Sequence, residues 1–255
     1  MIKADQAFSV EQYNKAAELY KKAYQSAKSR AIKSEIIFKQ AECYRLSGNK
    51  KRAESYYKRA IKAKYPDVLV YLRYADILRM NEKYSEAKEQ YQKYIQLNPT
   101  DVSGEMGLKS CDYALSWLSN PTRYQVELMP LINSRFSDFS PSFGNGEYSE
   151  VFFTSSRSGG FSNKIDDRTG ETFTDIYSSK LNKKGKWSVP TMLAEPINSV
   201  GNEGSVVLNK RGTTMYFTKC DVQKKKSLGC NIYVSNRKGK VCLLYTSPSP
   251  RDNKA

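Results

Sequence analysis

The chain contains no histidine. That absence removes histidine general bases, Ser/His and Cys/His nucleophile pairs and imidazole ligands to zinc. Cysteine is scarce: five residues, at 43, 111, 220, 230 and 242, with no CxxC pair to anchor a metal knuckle. No metal, cofactor or catalytic residue is therefore expected. No apolar run approaches the roughly 20 residues of a membrane-spanning helix. No basic-then-apolar leader follows Met1, which fits a cytoplasmic chain or one whose true start lies upstream. Between Phe8 and Leu118 the only prolines are Pro66 and Pro99. Proline lacks the amide proton a helix needs, so these two positions read as punctuation between helices.

Acidic residues are also in deficit, with 26 Asp and Glu against 42 Lys and Arg, a formal charge of +16. The excess is evenly spread: residues 1–120 hold 22 bases and 14 acids, and the remainder holds 20 and 12. A nucleic-acid binder concentrates its charge on one face or arm. An even spread reads instead as a generally basic, solvated surface, and no nucleic-acid partner is expected. Lys183-Lys184 and Lys224-Lys225-Lys226 fall in expected hairpin loops, where charge keeps edges unpaired.

The first half repeats itself. Ala41, Tyr44, Arg45, Gly48, Ala53 and Tyr57 precede Ala75, Leu78, Arg79, Glu82, Ala87 and Tyr91 by 34 positions each. That period belongs to a helix-turn-helix repeat. Helices are expected at roughly 12–27, 33–46, 50–63, 67–80, 84–97 and 101–118. Ala16, Ala53 and Ala87 let paired helices approach, and Tyr20, Tyr57 and Tyr91, four positions on, fill the gap beside them.

The set Ala41, Tyr44, Gly48, Ala53, Tyr57, Ala60, then Ala75, Tyr84, Ala87, Tyr91, Pro99 resembles the tetratricopeptide repeat (TPR), over two full units and half of another. Tyr94 departs from the pattern by replacing a small residue, and the first helix of the first unit is reduced to about residues 1–8. The last helix, with Leu115, Trp117 and Leu118, looks like a cap on the open end. In TPR arrays the first helix of each unit lines a concave groove that holds peptides. The resemblance puts Phe38, Glu42 and Arg45 on that face in one unit and Leu72, Asp76 and Arg79 in the next, as candidate partner-binding residues. Glu42 with Arg45, and Asp76 with Arg79, equally fit plain i,i+3 surface pairs.

After Pro121 short alternating apolar runs appear between Gly, Asn, Ser and Lys, which is strand punctuation. Strands are expected at 140–143, 150–155, 175–181, 204–208, 214–219 and 231–236. Phe152-Phe153-Thr154 returns 64 positions later as Tyr216-Phe217-Thr218, and Asp175-Ile176-Tyr177 returns 56 later as Asn231-Ile232-Tyr233. Gly144-Asn145-Gly146 and Lys210-Arg211-Gly212 hold matching turns that need residues tolerant of positive φ. Each copy resembles one blade of a TolB-type β-propeller, and a closed ring needs four or more blades. The fold class expected is α+β in separate domains: a TPR α-solenoid over 1–119, a linker over 120–139 and an incomplete antiparallel β-propeller of about two blades over 140–240.

The whole order, TPR units, then Asn120-Pro121-Thr122-Arg123-Tyr124, then Phe136-Ser137-Asp138-Phe139-Ser140-Pro141, resembles PorE-like envelope proteins of Bacteroidetes. These carry TPR units, a TolB-type propeller, a small β domain and a C-terminal OmpA-like domain. The resemblance implies a periplasmic, outer-membrane-associated scaffold of a type IX secretion-like system. Its partners would be envelope or secretion proteins, with peptidoglycan reached only through a missing C-terminal domain and the membrane only through a missing N-terminal lipid anchor.

Trp187 follows Gly185-Lys186, but the matching place after Gly239-Lys240 reads Val241-Cys242-Leu243-Leu244-Tyr245-Thr246-Ser247-Pro248-Ser249-Pro250-Arg251-Asp252. This string is similar to the translation of a transposon-type sequencing adapter, so residues 241–255 are expected to be non-native. Cys220 and Cys230 bracket one hairpin and are candidates for a disulfide in an oxidising compartment, or for two reduced thiols in the cytosol. Cys43 and Cys111 read as small buried hydrophobes.

The leading functional reading is a non-catalytic scaffold. A propeller-based hydrolase using Asp138, Asp175 or Glu203 is one alternative; a cytoplasmic basic adaptor that binds RNA, with its 19 tyrosines, is another.

Overall fold

The computed structural model describes residues 1–223, 226–238 and 241–246. It divides into two compact units, Met1–Gln125 with Asp167–Gly170, and Val126–Asp166 with Glu171–Ala255.

The first unit consists of seven helices: α1 (Ile2–Ser9), α2 (Tyr13–Ser26), α3 (Arg30–Leu46), α4 (Lys50–Lys62), α5 (Leu69–Met80), α6 (Tyr84–Leu97) and α7 (Ser103–Ser119). Local chemistry sets their ends. Asn49 caps α4 by accepting the Arg52 amide at 3.2 Å. Asp67 and Asp101 accept the amides of Leu69 and Ser103 at 2.9 and 2.8 Å, so α5 and α7 start two residues later than the pattern predicts. The turn from a unit's first helix to its second passes through a left-handed residue at Glu11, Gly48 and Glu82. Only one of the three is the glycine that such a φ favours.

Helix pairs close on alanine. Ala16, Ala53 and Ala87 are fully buried, and Tyr20, Tyr57 and Tyr91 are the largest of the fully buried side chains. The departure at Tyr94 is absorbed by α7: a Cβ on Gly104 would stand 3.1 Å from the Tyr94 ring, and the Tyr94 hydroxyl donates to Asp101 at 2.6 Å. Gly107 similarly lies against Tyr91, where a Cβ would approach Cε1 to 2.3 Å.

The second unit holds two four-stranded antiparallel sheets, each a simple meander. The first is β1 (Asp138–Phe143), β2 (Glu150–Ser155), β3 (Asp175–Lys180) and β4 (Thr191–Met192); the second is β5 (Asn202–Leu208), β6 (Thr214–Gln223), β7 (Lys226–Lys238) and β8 (Val241–Thr246). Phe152 and Ile176 of the first sheet share a core with Val206, Phe217 and Tyr233 of the second and with Ile197 between them.

The duplication extends to the backbone. Ser140 and Ser205, 65 positions apart, both adopt left-handed φ (53° and 51°) at a bulge in the strand that opens each sheet. The cross-strand pairs Phe153–Tyr177 and Phe217–Tyr233 stack at 6.1 and 6.0 Å. At the first tight turn the positive φ falls on Tyr148 rather than on Gly144 or Gly146; its counterpart 64 positions on is Gly212. Gly144 is required for space instead, since a Cβ there would stand 2.6 Å from the Phe152 ring.

Three differences from the expected pattern stand out, in β4, in the β6–β7 hairpin and in β8. β4 is only two residues long and carries no periodicity to read. β6 and β7 run past the expected hairpin ends, so Lys226 is the first residue of a strand; Lys224 and Lys225 lie outside the described residues. Cys220 and Cys230 oppose each other in that ladder and are joined as a disulfide. Val241–Thr246, within the segment expected to be non-native, pairs with β7 from Tyr233↔Thr246 to Lys238↔Val241, while residues 247–255 lie outside the described residues.

Candidate functional site

The first helix of each unit places an acid at an equivalent position against its second helix: Asp5 on α1, Glu42 on α3 and Asp76 on α5. Each acid accepts the hydroxyl proton of a tyrosine fifteen positions on, in the second helix of its unit. Tyr20 donates to Asp5 at 2.5 Å, Tyr57 to Glu42, and Tyr91 to Asp76 at 2.7 Å. Each acid–tyrosine pair also meets a cation, and Asp76 has a second in Arg73, whose Nη1 lies 3.9 Å away. Lys39 Nζ lies 2.8 Å from Asp5, Arg45 Nη2 lies 2.6 Å from Glu42, and Arg79 Nε donates to the Tyr91 hydroxyl at 3.2 Å.

The row is a polar seam laid over an apolar core. Burial, then the adjacent acid, pushes the Tyr20, Tyr57 and Tyr91 phenols well above the ordinary range, so they remain donors at any physiological pH. Burial pulls Asp5 upward, but the hydrogen bonds from Lys39 and Tyr20 outweigh it and hold the carboxyl below its usual range.

Of the six candidate partner-binding residues, the structure places Glu42, Arg45, Asp76 and Arg79 in this seam. Phe38 and Leu72 are 9% and 6% exposed and face inward, which corrects their placement on an open surface. Phe38 stacks on Tyr65 at 4.4 Å and meets Tyr57 edge-on, because an aromatic ring one turn before Glu42 gains more from the interhelical core than from water. Asp5, Lys39 and Arg73 join the row without having been singled out. The constant fifteen-residue step from acid to tyrosine was the available signal. Arg73 Nε is buried and has no hydrogen-bond partner.

The β unit carries a second repeated device. Asp138 accepts the Ser134 amide at 2.5 Å and binds Arg157 at 2.8 Å; the same guanidinium donates to the Ile132 carbonyl at 2.6 Å. Sixty-five positions on, Glu203 accepts the Ser199 amide at 3.1 Å, and Lys219 Nζ reaches Glu203 at 3.6 Å and the Ile197 carbonyl at 3.3 Å. The cation of the second copy comes from an earlier point of its strand, so no sequence comparison pairs Arg157 with Lys219. Asp175 is also buried: Oδ2 accepts the Phe161 amide at 2.9 Å and Oδ1 has no partner. Each of the three carboxylates weighed for hydrolysis thus accepts a backbone amide and fastens a loop of the β unit.

A cavity of about 830 Å³ lies between the two sheets, with Phe152, Ile197 and Met215 among its apolar lining and Lys180 and Arg211 among its charged lining. Among the described residues, no three His, Cys, Asp or Glu side chains gather as a metal site, and no helix is long and apolar enough to cross a membrane.

Residues 34–66 and 68–101 each match the tetratricopeptide repeat family. No curated protein matches the chain. Among solved structures, the Sgt2 TPR domain from Aspergillus fumigatus is 20% identical over 49% of this chain and 84% of that one, with a TM-score of 0.40. The first TPR domain of human RPAP3 is 22% identical over 47% and 92%, with a TM-score of 0.41. The UNC-45 chaperone is 20% identical over 46% of this chain, with a TM-score of 0.42, and the chain spans 13% of its length. Within the helical unit, residues 34–101 carry two tetratricopeptide repeats.

Proposed function

We propose that the chain is a non-catalytic adaptor that holds a protein partner in the groove lined by α1, α3 and α5. The observation that carries this is the matched pair of tetratricopeptide repeats, a module of protein–protein interaction, with Glu42, Arg45, Asp76 and Arg79 at equivalent places in both. A charged seam set among first helices gives orientation and selectivity to a bound segment. It offers no nucleophile and base pair.

The β unit supplies a second docking surface in this reading. Two equivalent meanders that share a core are how successive propeller blades associate, and further blades would complete the ring. The resemblance to PorE-like envelope proteins extends the proposal to a periplasmic, outer-membrane-associated component of a type IX secretion-like system, linked to peptidoglycan through an OmpA-like domain. The disulfide Cys220–Cys230 fits an oxidising compartment.

The test is site-specific photo-cross-linking in native envelopes from position 45, in the groove. Adducts with envelope or secretion components are expected, lost when Arg79 is changed to Glu. Cross-links that form only from the β unit, or no adduct at all, would defeat the groove reading.

A further inference from the structure

The two sheets are copies, so each place in one has a counterpart in the other. In the first sheet Val151, Phe153 and Tyr177 form one face, and Trp187 and Met192 of the outer edge pack against it. Trp187 faces Leu181 in the ladder and Met192 faces Tyr177. Between those two points the edge leaves the ladder. Pro190 has no amide hydrogen to give, and the Ser188 carbonyl is free to accept the Ser179 hydroxyl at 2.6 Å.

By the offsets of 64 and 56, the counterparts in the second sheet are Met215, Phe217 and Tyr233, with Ser235 for Ser179 and Arg237 for Leu181. A single step of 54 carries Gly185 to Gly239, Trp187 to Val241 and Met192 to Thr246, and Thr246 faces Tyr233 as Met192 faces Tyr177. The outer edge of the second sheet thus lies in the matching place. It differs in two respects: the ladder is unbroken from Tyr233↔Thr246 to Lys238↔Val241, and valine stands where the first sheet has tryptophan.

Both differences leave a mark. Ser235 is 2% exposed and its hydroxyl has no partner, because the carbonyls of an unbroken strand lie in the plane of the sheet and none turns to a side chain on its face. Beside it, the 830 Å³ cavity between the sheets is bordered by Met215, Ser235 and Arg237. Their counterparts Val151, Ser179 and Leu181 are the residues that meet the Trp187–Ser188 edge or belong to the cluster it covers.

We propose that this cavity is the seat of a tryptophan, delivered by an extended Trp-Ser-x-Pro segment that adds to the outer edge of β7 as residues 187–192 add to β3, and that this segment is the native strand whose place Val241–Thr246 takes. The first sheet identifies the occupant, since its matching face is closed by its own edge. The indole fills the space over Met215, the carbonyl of the residue after it takes the Ser235 hydroxyl, and the proline ends the ladder so that this carbonyl can turn. The inference rests on the duplication of the sheets and is independent of the groove reading.

The test replaces residues 241–247 of the full chain with the sequence of Trp187–Leu193 and compares it with the same replacement carrying alanine for the tryptophan. In urea unfolding followed in the β region of the spectrum, the tryptophan version should have an unfolding constant at least about tenfold lower, the scale of a large side chain lost from a core. Ser235→Ala is the second arm. In the native chain it removes a hydroxyl that bonds nothing and should leave the midpoint unchanged or higher; in the grafted chain it should lower the midpoint. If the replacement fails to fold, Val241→Trp in the otherwise native chain gives a further readout: the added indole, taken as the difference from the native chain, should be shielded from iodide.

Equal unfolding constants for the tryptophan and alanine versions overturn the proposal, as does an effect of Ser235→Ala that is the same in the native and grafted chains. An indole at position 241 quenched as fully as free tryptophan also overturns it.

Discussion

The Tyr91 hydroxyl donates to Asp76 at 2.7 Å and accepts from Arg79 Nε at 3.2 Å. One buried phenol thereby joins the two helices of a repeat and orients an acid and a base on its groove side. Tyr91→Phe removes that link and leaves Asp76 and Arg79 without their shared partner. A loss of about 1–2 kcal/mol is expected in urea unfolding followed by helical circular dichroism. An unchanged midpoint would mean that the seam contributes orientation only.

Gly107 bears on the same ring. Alanine is the better helix former by about 1 kcal/mol, yet its Cβ would sit 2.3 Å from Tyr91 Cε1. The clash wins, and Gly107→Ala should cost a net of about 1–2 kcal/mol. Pairing it with Tyr91→Ala, which opens the space, should restore alanine's intrinsic advantage at position 107; a double-mutant cycle measures the coupling.

Glu82 adopts a left-handed φ of 62° at the place where the preceding repeat has Gly48. Glu82→Gly relieves a conformation costly to any residue with a Cβ and should stabilise the helical unit by up to about 1 kcal/mol. Gly48→Ala, at φ 81° with open space around it, should destabilise by about 1–2 kcal/mol through backbone strain alone. Thermal melts of the two variants should move in opposite directions.

Burial raises the Asp175 carboxyl to about 6, with the Glu203 charge adding to that and the Phe161 amide opposing it. In the unfolded chain an Asp titrates near 3.9. The folded state therefore holds its proton longer, and the stability this provides is full below about pH 4 and lost as pH rises through about 6. Asp175→Asn should match the native chain near pH 4 and exceed it at pH 7.5 by something on the order of 2 kcal/mol. Parallel stability–pH curves for the two proteins would contradict the burial argument.

The Cys220–Cys230 disulfide closes a loop between strands β6 and β7. Its reduction frees the unfolded chain and should lower the stability of the β unit by about 2–3 kcal/mol, the loop-closure value for a loop of this length. Denaturant curves with and without reductant, read in the β region of the spectrum, give the difference. The helical transition should stay in place.

Much of the helical unit was legible in the sequence because its signals are local. Ala53, Tyr57, Ala87 and Tyr91 recur at one period, and Pro66 and Pro99 stop helices whatever surrounds them. The helix starts at Leu69 and Ser103 were less legible, since an Asp two residues earlier serves equally as a last loop residue or a cap. Phe38 and Leu72 were misplaced for another reason: periodicity fixes the face of a helix, but not how far the neighbouring helix covers it.

In the β unit the copies were visible at Phe152-Phe153-Thr154 and Tyr216-Phe217-Thr218. Their shared clasp was not, because Arg157 follows β2 while Lys219 lies within β6, and the two play the same part only in space. Likewise α7 read as a cap from its position at the end of the array, and only its packing shows which of its two apolar sides is covered.

The sequence by itself determined the two kinds of element, their periods and the exclusion of histidine chemistry, since propensity, proline and repetition act within a few residues of chain. The tertiary structure decided which acid meets which tyrosine, which donor of Arg73 stays unpaired and which stripe of α7 remains open to solvent. Those outcomes depend on distances between atoms far apart in the chain, and such distances exist only after the helices and sheets have packed.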